Sequence, residues 1–111
     1  MNETEYKIEG YQVEIYACDL KGGRTRWAQK IIHLFSKGEE VGQAVFAREG
    51  AEIPEPYLSG GKIYYFAPDS QYADVMDLLR SDAGTYLGWR PVSDPREPND
   101  GDAYFRTESP L

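Results

Sequence analysis

Apolar and polar residues alternate from Tyr11 to Asp19, with Tyr11, Val13, Ile15 and Ala17 on one side and Gln12, Glu14, Tyr16 and Cys18 on the other. A period of two is the pattern of a strand with one core face. Lys21-Gly22-Gly23-Arg24 follows, and its two central glycines suit the positive φ angles of a tight hairpin turn. Arg24 to Phe35 is then the expected return strand. Centring the turn between Gly22 and Gly23 pairs residues whose numbers sum to 45: Tyr11 faces Leu34, Val13 faces Ile32 and Ala17 faces Ala28. Ile15 opposite Lys30 is the one discord in this register, whereas a slip of one residue would set His33 against Val13.

Further along, Ser36 to Glu40 reads as a turn and Gly42 to Arg48 as a third strand antiparallel to the second, which makes a meander. Glu49 to Gly61 holds Gly50, Pro54, Pro56, Gly60 and Gly61 and is expected to be a loop. Lys62 to Ala67 is a short strand, apolar on both faces, that Pro68 ends. Tyr72, Val75, Met76 and Leu79 then recur at the spacing of one helix face, with Asp69 or Ser70 available as the cap and Gly84 at the expected stop. Thr85 to Trp89 is a further strand, so this unit resembles a β-α-β crossover. Pro91, Pro95 and Pro98 interrupt pairing before an Asn99 to Asp102 turn and a last strand from Ala103 to Thr107.

These elements predict an α+β domain in which a curved, largely antiparallel β-sheet packs on one α-helix, with a partly open barrel as the limiting form. A chain of 111 residues, 41% hydrophobic and 14% aromatic, fills one core, so residues 1–111 are expected to be a single domain, loose at 1–9 and 108–111. No run approaches the roughly 18 apolar residues of a membrane span. Glu3, Glu5 and Glu9 stand where a signal peptide would be basic and then apolar, and the expected setting is cytoplasmic, away from membranes.

Charge alters the picture through its distribution. The net charge of -7 repels phosphate backbones, so nucleic-acid binding is not expected. Between Lys21 and Lys37, however, Lys21, Arg24, Arg26, Lys30 and Lys37 occur with no acidic residue among them, while Asp69 to Asp82 is acidic apart from Arg80.

Candidate chemistry is sparse. Cys18 is the one cysteine and His33 the one histidine. A thiol–imidazole couple needs hydrogen-bond reach. In the register above, His33 faces Gln12, which lies six residues from Cys18 (18 − 12), or about 20 Å at strand rise. A single histidine without cysteines does not make a conventional zinc site, and Glu14 is its nearest carboxylate on the same face. Asp94, Glu97, Asp100 and Asp102 lack the spacing of a calcium loop. Asp74 and Asp77 share an outward helix face and should keep ordinary acidity. The pairs Gly22-Gly23 and Gly60-Gly61 lack the context of a phosphate loop.

Two surfaces remain. Lys21, Arg24, Arg26, Trp27 and Lys30 form a basic hairpin suited to an acidic protein surface, although alternation sets Trp27 on the other face from the charges. Tyr65, Tyr86 and Trp89 are the candidates for a ligand groove. No catalytic set, metal site or cofactor is expected. The leading expectation is a non-enzymatic protein-interaction or regulatory domain, self-associating or binding another protein through a sheet edge or the basic hairpin. The alternative is a small-molecule binding domain, or an enzyme with an aromatic and carboxylate site assembled by the fold.

Overall fold

A computed structural model describes residues 3–16, 28–81, 83–91 and 101–108. Eight strands and one helix follow in the order β1 (Thr4–Lys7), β2 (Gly10–Ile15), β3 (Ala28–Ser36), β4 (Glu39–Ala47), β5 (Tyr57–Ser59), β6 (Lys62–Pro68), α1 (Tyr72–Leu79), β7 (Thr85–Pro91) and β8 (Gly101–Thr107). The expected α+β architecture is present, divided between two sheets. One has three strands in the order β1-β7-β8, the other five in the order β2-β3-β4-β6-β5. Among the described pairings only β4 with β6 is parallel.

The chain crosses from one sheet to the other between two adjacent residues. The Ile8 N–H donates to the Thr85 carbonyl at 2.8 Å, and the Glu9 N–H donates to the Phe35 carbonyl at 2.9 Å. β1 and β2 are thus one extended segment whose first half pairs with β7 and whose second half pairs with β3. Residues 4–7, expected to be loose, form β1, because Tyr6 packs against the core and donates its hydroxyl to the Gly61 carbonyl at 2.7 Å.

The meander has the register read from the sequence. Tyr11 faces Leu34, Val13 faces Ile32 and Ile15 faces Lys30, and β4 returns antiparallel to β3 through Lys37-Gly38. Both turn residues have positive φ, 53° and 80°, as a two-residue hairpin loop of this hand requires. The Glu49 to Gly61 stretch is only partly a loop. Its end is β5, joined to β6 by a second two-residue turn, Gly60-Gly61, again with positive φ at both positions.

The core lies between the sheets and α1. Ile32 and Leu34 of β3, Ala44 and Phe46 of β4, and Ile63 and Ala67 of β6 meet Leu87 and Trp89 of β7 across it. From α1, Val75 and Met76 are buried in it, with Tyr72 and Leu79 packed alongside. Burying side chains of this size contributes about 1.5–3 kcal/mol each. A 3-10 turn, Asp69–Gln71, leads into α1, and neither start carries a side-chain cap. The Asp69 carboxylate, expected to cap, instead accepts from Lys30 Nζ at 2.7 Å. The helix ends at Leu79, ahead of Gly84, whose φ of 81° serves the approach to β7. β6 and β7 belong to different sheets, so α1 joins the sheets and no β-α-β crossover forms. No helix of the described residues is long and apolar enough to cross a membrane.

Gly42 permits a close approach of β4 to β6 and β7. It pairs with Ile63 in the parallel register, and a Cβ there would stand 2.3 Å from the Ile63 carbonyl oxygen and 2.6 Å from Leu87 Cδ2. One of those neighbours is backbone, which cannot rotate away. The Gly42→Ala variant should therefore lose about 1–3 kcal/mol of stability. Chemical denaturation checks this, and a midpoint equal to that of the parent would contradict the packing described.

Candidate interaction surface

β2 is an edge strand: among the described residues it pairs with β3 alone. Tyr16, one residue beyond it, donates its N–H to the Gln29 carbonyl at 2.8 Å. Hydrogen-bonded pairs alternate along an antiparallel ladder, so Gln12 and Glu14 direct their backbone groups at β3. Tyr11, Val13 and Ile15 direct theirs outward, to the open edge.

The same three residues carry the apolar face of β2, which was expected to lie in the core. Their β3 partners Leu34 and Ile32 are fully buried, yet Tyr11 and Val13 are 37% exposed and Ile15 65%. The cause is the sheet crossing. Beyond Glu9 the chain pairs with β3 and, among the described residues, no longer with the three-stranded sheet. Among the described residues, a backbone edge without a strand partner and an apolar stripe therefore coincide on one short strand.

β2 is held by a charged clasp on its opposite face. His33 of β3 lies between two carboxylates, with Nδ1 2.6 Å from Glu40 Oε1 and Nε2 in contact with Glu14. An ionised carboxylate can only accept, so with both ionised each ring nitrogen donates only when it carries a proton, and the arrangement favours the imidazolium form. Partial burial pulls His33 down, but the hydrogen bonds and charges of Glu40 and Glu14 outweigh it and hold the ring above its ordinary value of 6.5. Burial likewise pushes Glu40 up, and its bonds to His33 and Gln43 outweigh that to lower it. The Tyr16 hydroxyl donates to Glu14, and Lys62 Nζ stands 3.6 Å from Glu40. The clasp thus fastens β2 to β3, β4 and β6. Glu14 was legible as the neighbour of His33; Glu40 was not, because it reaches His33 across the β3-β4 hairpin. Among the described residues no group of three or more His, Cys, Asp or Glu side chains is placed to hold a metal ion.

The proposed groove residues do not converge. Trp89 is 2% exposed within the core. Tyr86, three residues away on β7, points to the other face of the sheet, where its hydroxyl donates to Glu108 at 2.6 Å and the Arg106 guanidinium lies 4.2 Å from its ring centroid. Tyr65 is half-buried, packs edge-on against Phe105 and donates to Gln71 Oε1 at 2.8 Å.

Of the basic hairpin, Lys21, Arg24, Arg26 and Trp27 lie outside the described residues, as do Cys18 and the acidic turn at 94–100. Lys30 is committed internally, paired with Asp69 and 4.7 Å from the Tyr72 ring centroid.

The outer face of the three-stranded sheet is also satisfied from within. Arg106 makes two bonds of 2.7 Å to Glu5, and the Tyr104 hydroxyl donates to Glu5 at 2.6 Å. Together they hold the Glu5 carboxyl at about 2. Tyr104 reaches Glu5 by lying across Gly88, where any side chain would collide with its ring. Arg90 pairs with Glu3 at 3.0 Å.

Compared with known proteins, the chain matches no family model, no curated protein and no solved structure.

The clasp makes stability depend on pH in a defined direction. A group whose folded pKa is raised contributes fully below its unfolded value and loses that contribution as pH rises through the folded one. The His33 contribution is therefore complete below 6.5 and fades above it. Glu40, being lowered, contributes above 4.5 and fades as pH falls. His33→Gln should be less stable than the parent by about 1–3 kcal/mol at mildly acid pH, the loss of charge-assisted hydrogen bonds, and the gap should narrow at mildly alkaline pH. Melting curves of both proteins across this range test it. A gap that widens with pH would contradict an imidazolium bridge.

Proposed function

We propose that this is a protein-interaction domain that works by strand addition at the open edge of β2, with a second copy of the chain as its partner. The observation that carries the reading is the coincidence on β2 of an outward backbone edge with the exposed side chains of Tyr11, Val13 and Ile15. Strand addition takes its affinity from main-chain hydrogen bonds and its specificity from alternate side chains.

Side-chain chemistry supports a second copy. In a two-fold antiparallel pairing centred on Val13, Tyr11 meets Ile15 of the other copy, Val13 meets Val13, and Gln12 meets Glu14. These are aromatic with β-branched, apolar with apolar, and amide with carboxylate, all favourable cross-strand pairs. Sliding the register to centre on Glu14 would oppose two carboxylates. The net charge of -7 works against association of like chains at low salt and less so when screened.

Val13→Pro separates this edge from the fold. The Val13 N–H points away from β3, so proline there removes an outward donor and leaves the β2-β3 ladder intact, a position where edge strands tolerate it. Sedimentation should show the parent dimerising with concentration, more tightly at high salt. The Val13→Pro protein should remain a monomer with unchanged circular dichroism. A parent that stays strictly monomeric at high micromolar concentration at both salt levels would overturn the proposal, as would undiminished dimerisation of Val13→Pro.

A further inference from the structure

Outside β2, the exposed large apolar side chains among the described residues are Ile53 and Tyr57, 40% and 43% exposed. One such residue alone needs no explanation. These two, however, share the segment Ile53-Pro54-Glu55-Pro56-Tyr57, in which each residue ahead of a proline is restricted to extended backbone. Ile53 and Tyr57 are therefore at most about 14 Å apart along the chain, and the prolines keep the loss of chain freedom on binding small. Glu52, Ile53, Pro54 and Glu55 line a cleft of about 520 Å³. Ile53 also borders the cleft beyond the ends of β4 and β6, which Arg48, Glu49 and Asp69 line.

At the end of this segment Tyr57 lies nearly parallel on Tyr64 of β6, with ring centroids 4.5 Å apart and planes inclined by 20°, and Phe66 follows at 5.8 Å. Tyr64 takes one face of the Tyr57 ring, so the exposure of Tyr57 belongs to the other face and the rim. Charge here is one-sided. Glu49, Glu52 and Glu55 are exposed and, among the described residues, none of them is in an ion pair, whereas Glu3, Glu5, Glu40 and Glu108 each have a cation. No cation lines the cleft that holds Glu52 and Glu55.

We infer that this face docks a basic, arginine-containing peptide segment of another protein, with a guanidinium stacked on the outer face of Tyr57, further cations meeting Glu52 and Glu55, and side-chain stems packed on Ile53. Arginine and lysine suit such a surface because each carries an apolar stem beneath its charge. The ring geometry selects arginine. A planar guanidinium stacks on a single flat ring, while a compact, strongly hydrated ammonium gains most inside a cage of several rings, which two near-parallel tyrosines do not form. An acidic segment would meet three carboxylates. β2 and β5 are opposite edges of the five-stranded sheet, so this surface is separate from the β2 edge and stands or falls independently of it.

The probe is an acetylated and amidated hexapeptide of alternating arginine and alanine, compared with its lysine counterpart. Titrated into the full chain at neutral pH and low salt and followed by amide chemical shifts, the arginine peptide should give saturable changes at Glu52, Ile53, Glu55 and Tyr57. The lysine peptide should bind about threefold more weakly. Tyr57→Leu, which keeps an apolar side chain against Tyr64, should bring the arginine peptide down to the affinity of the lysine one. Glu52→Gln combined with Glu55→Gln changes exposed positions, where substitution barely alters stability, and should weaken both peptides about tenfold. Absence of saturable shifts, shifts centred on other residues, equal affinity for the two peptides, or undiminished binding by either variant would each overturn the inference. Shifts of the same amides on concentrating the chain alone would overturn it too, because the occupant would then be a second copy.

Discussion

Two consecutive amides, those of Ile8 and Glu9, bond to different sheets, and much of this molecule follows from that step. A strand of ordinary length would have to end at the border of its sheet. Here the chain continues, so one extended segment serves as an edge of both sheets and ties Thr85 to Phe35 through adjacent peptide units. The two sheets are thereby held face to face at one corner, while α1 fills the space between them with Val75 and Met76. The cost of the arrangement falls on β2. Among the described residues its backbone is paired on one side only, and its apolar side chains are exposed while Leu34 and Ile32 across the ladder are buried. The interaction surface is thus a consequence of how the sheets are joined, with the His33 clasp compensating on the other face.

The second constraint is the parallel pairing of β4 with β6. After β4 the chain passes to the far side of the place β6 will occupy, lays down β5, and turns back through Gly60-Gly61 to insert β6 between them. The insertion needs Gly42 opposite Ile63, because no side chain fits between those strands under Leu87. It also leaves two strand ends pointing the same way, which is why the segments holding Arg48 and Asp69 border a common cleft.

Local chemistry was readable from the sequence wherever it acted alone. The β2-β3 register followed from two glycines and the parity of apolar residues, and the helix face from a spacing of three and four. Several of the misses depended on a partner distant in the chain. β1 is acidic and looks like a solvated terminus until Arg90 and Arg106 are placed opposite Glu3 and Glu5. Asp69 looks like a cap until Lys30, on another strand, takes its carboxylate. Gly60-Gly61 has the same turn chemistry as Gly22-Gly23, but the prolines before it hid the three-residue strand it serves. Trp89 and Tyr86 read as neighbours in sequence, yet the parity of a strand separates them by the full thickness of the sheet.

Charge shows the same dependence on placement. Summed along the chain it suggests a basic hairpin against an acidic body; among the described residues several opposite charges meet in pairs. Glu5 with Arg106, Glu3 with Arg90, Lys30 with Asp69, and His33 with Glu14 and Glu40 are all cross-strand or cross-element pairs. The exposed pairs among them, Glu3 with Arg90 and Glu5 with Arg106, contribute little stability singly. What they do is fix register, since Glu5 reaches Arg106 only with Tyr104 lying across Gly88, and Glu14 reaches His33 only in the register that puts Gln12 opposite it. The apolar stripe of β2 gains its significance in the same way from its surroundings, namely the burial of Ile32 and Leu34 directly across the ladder.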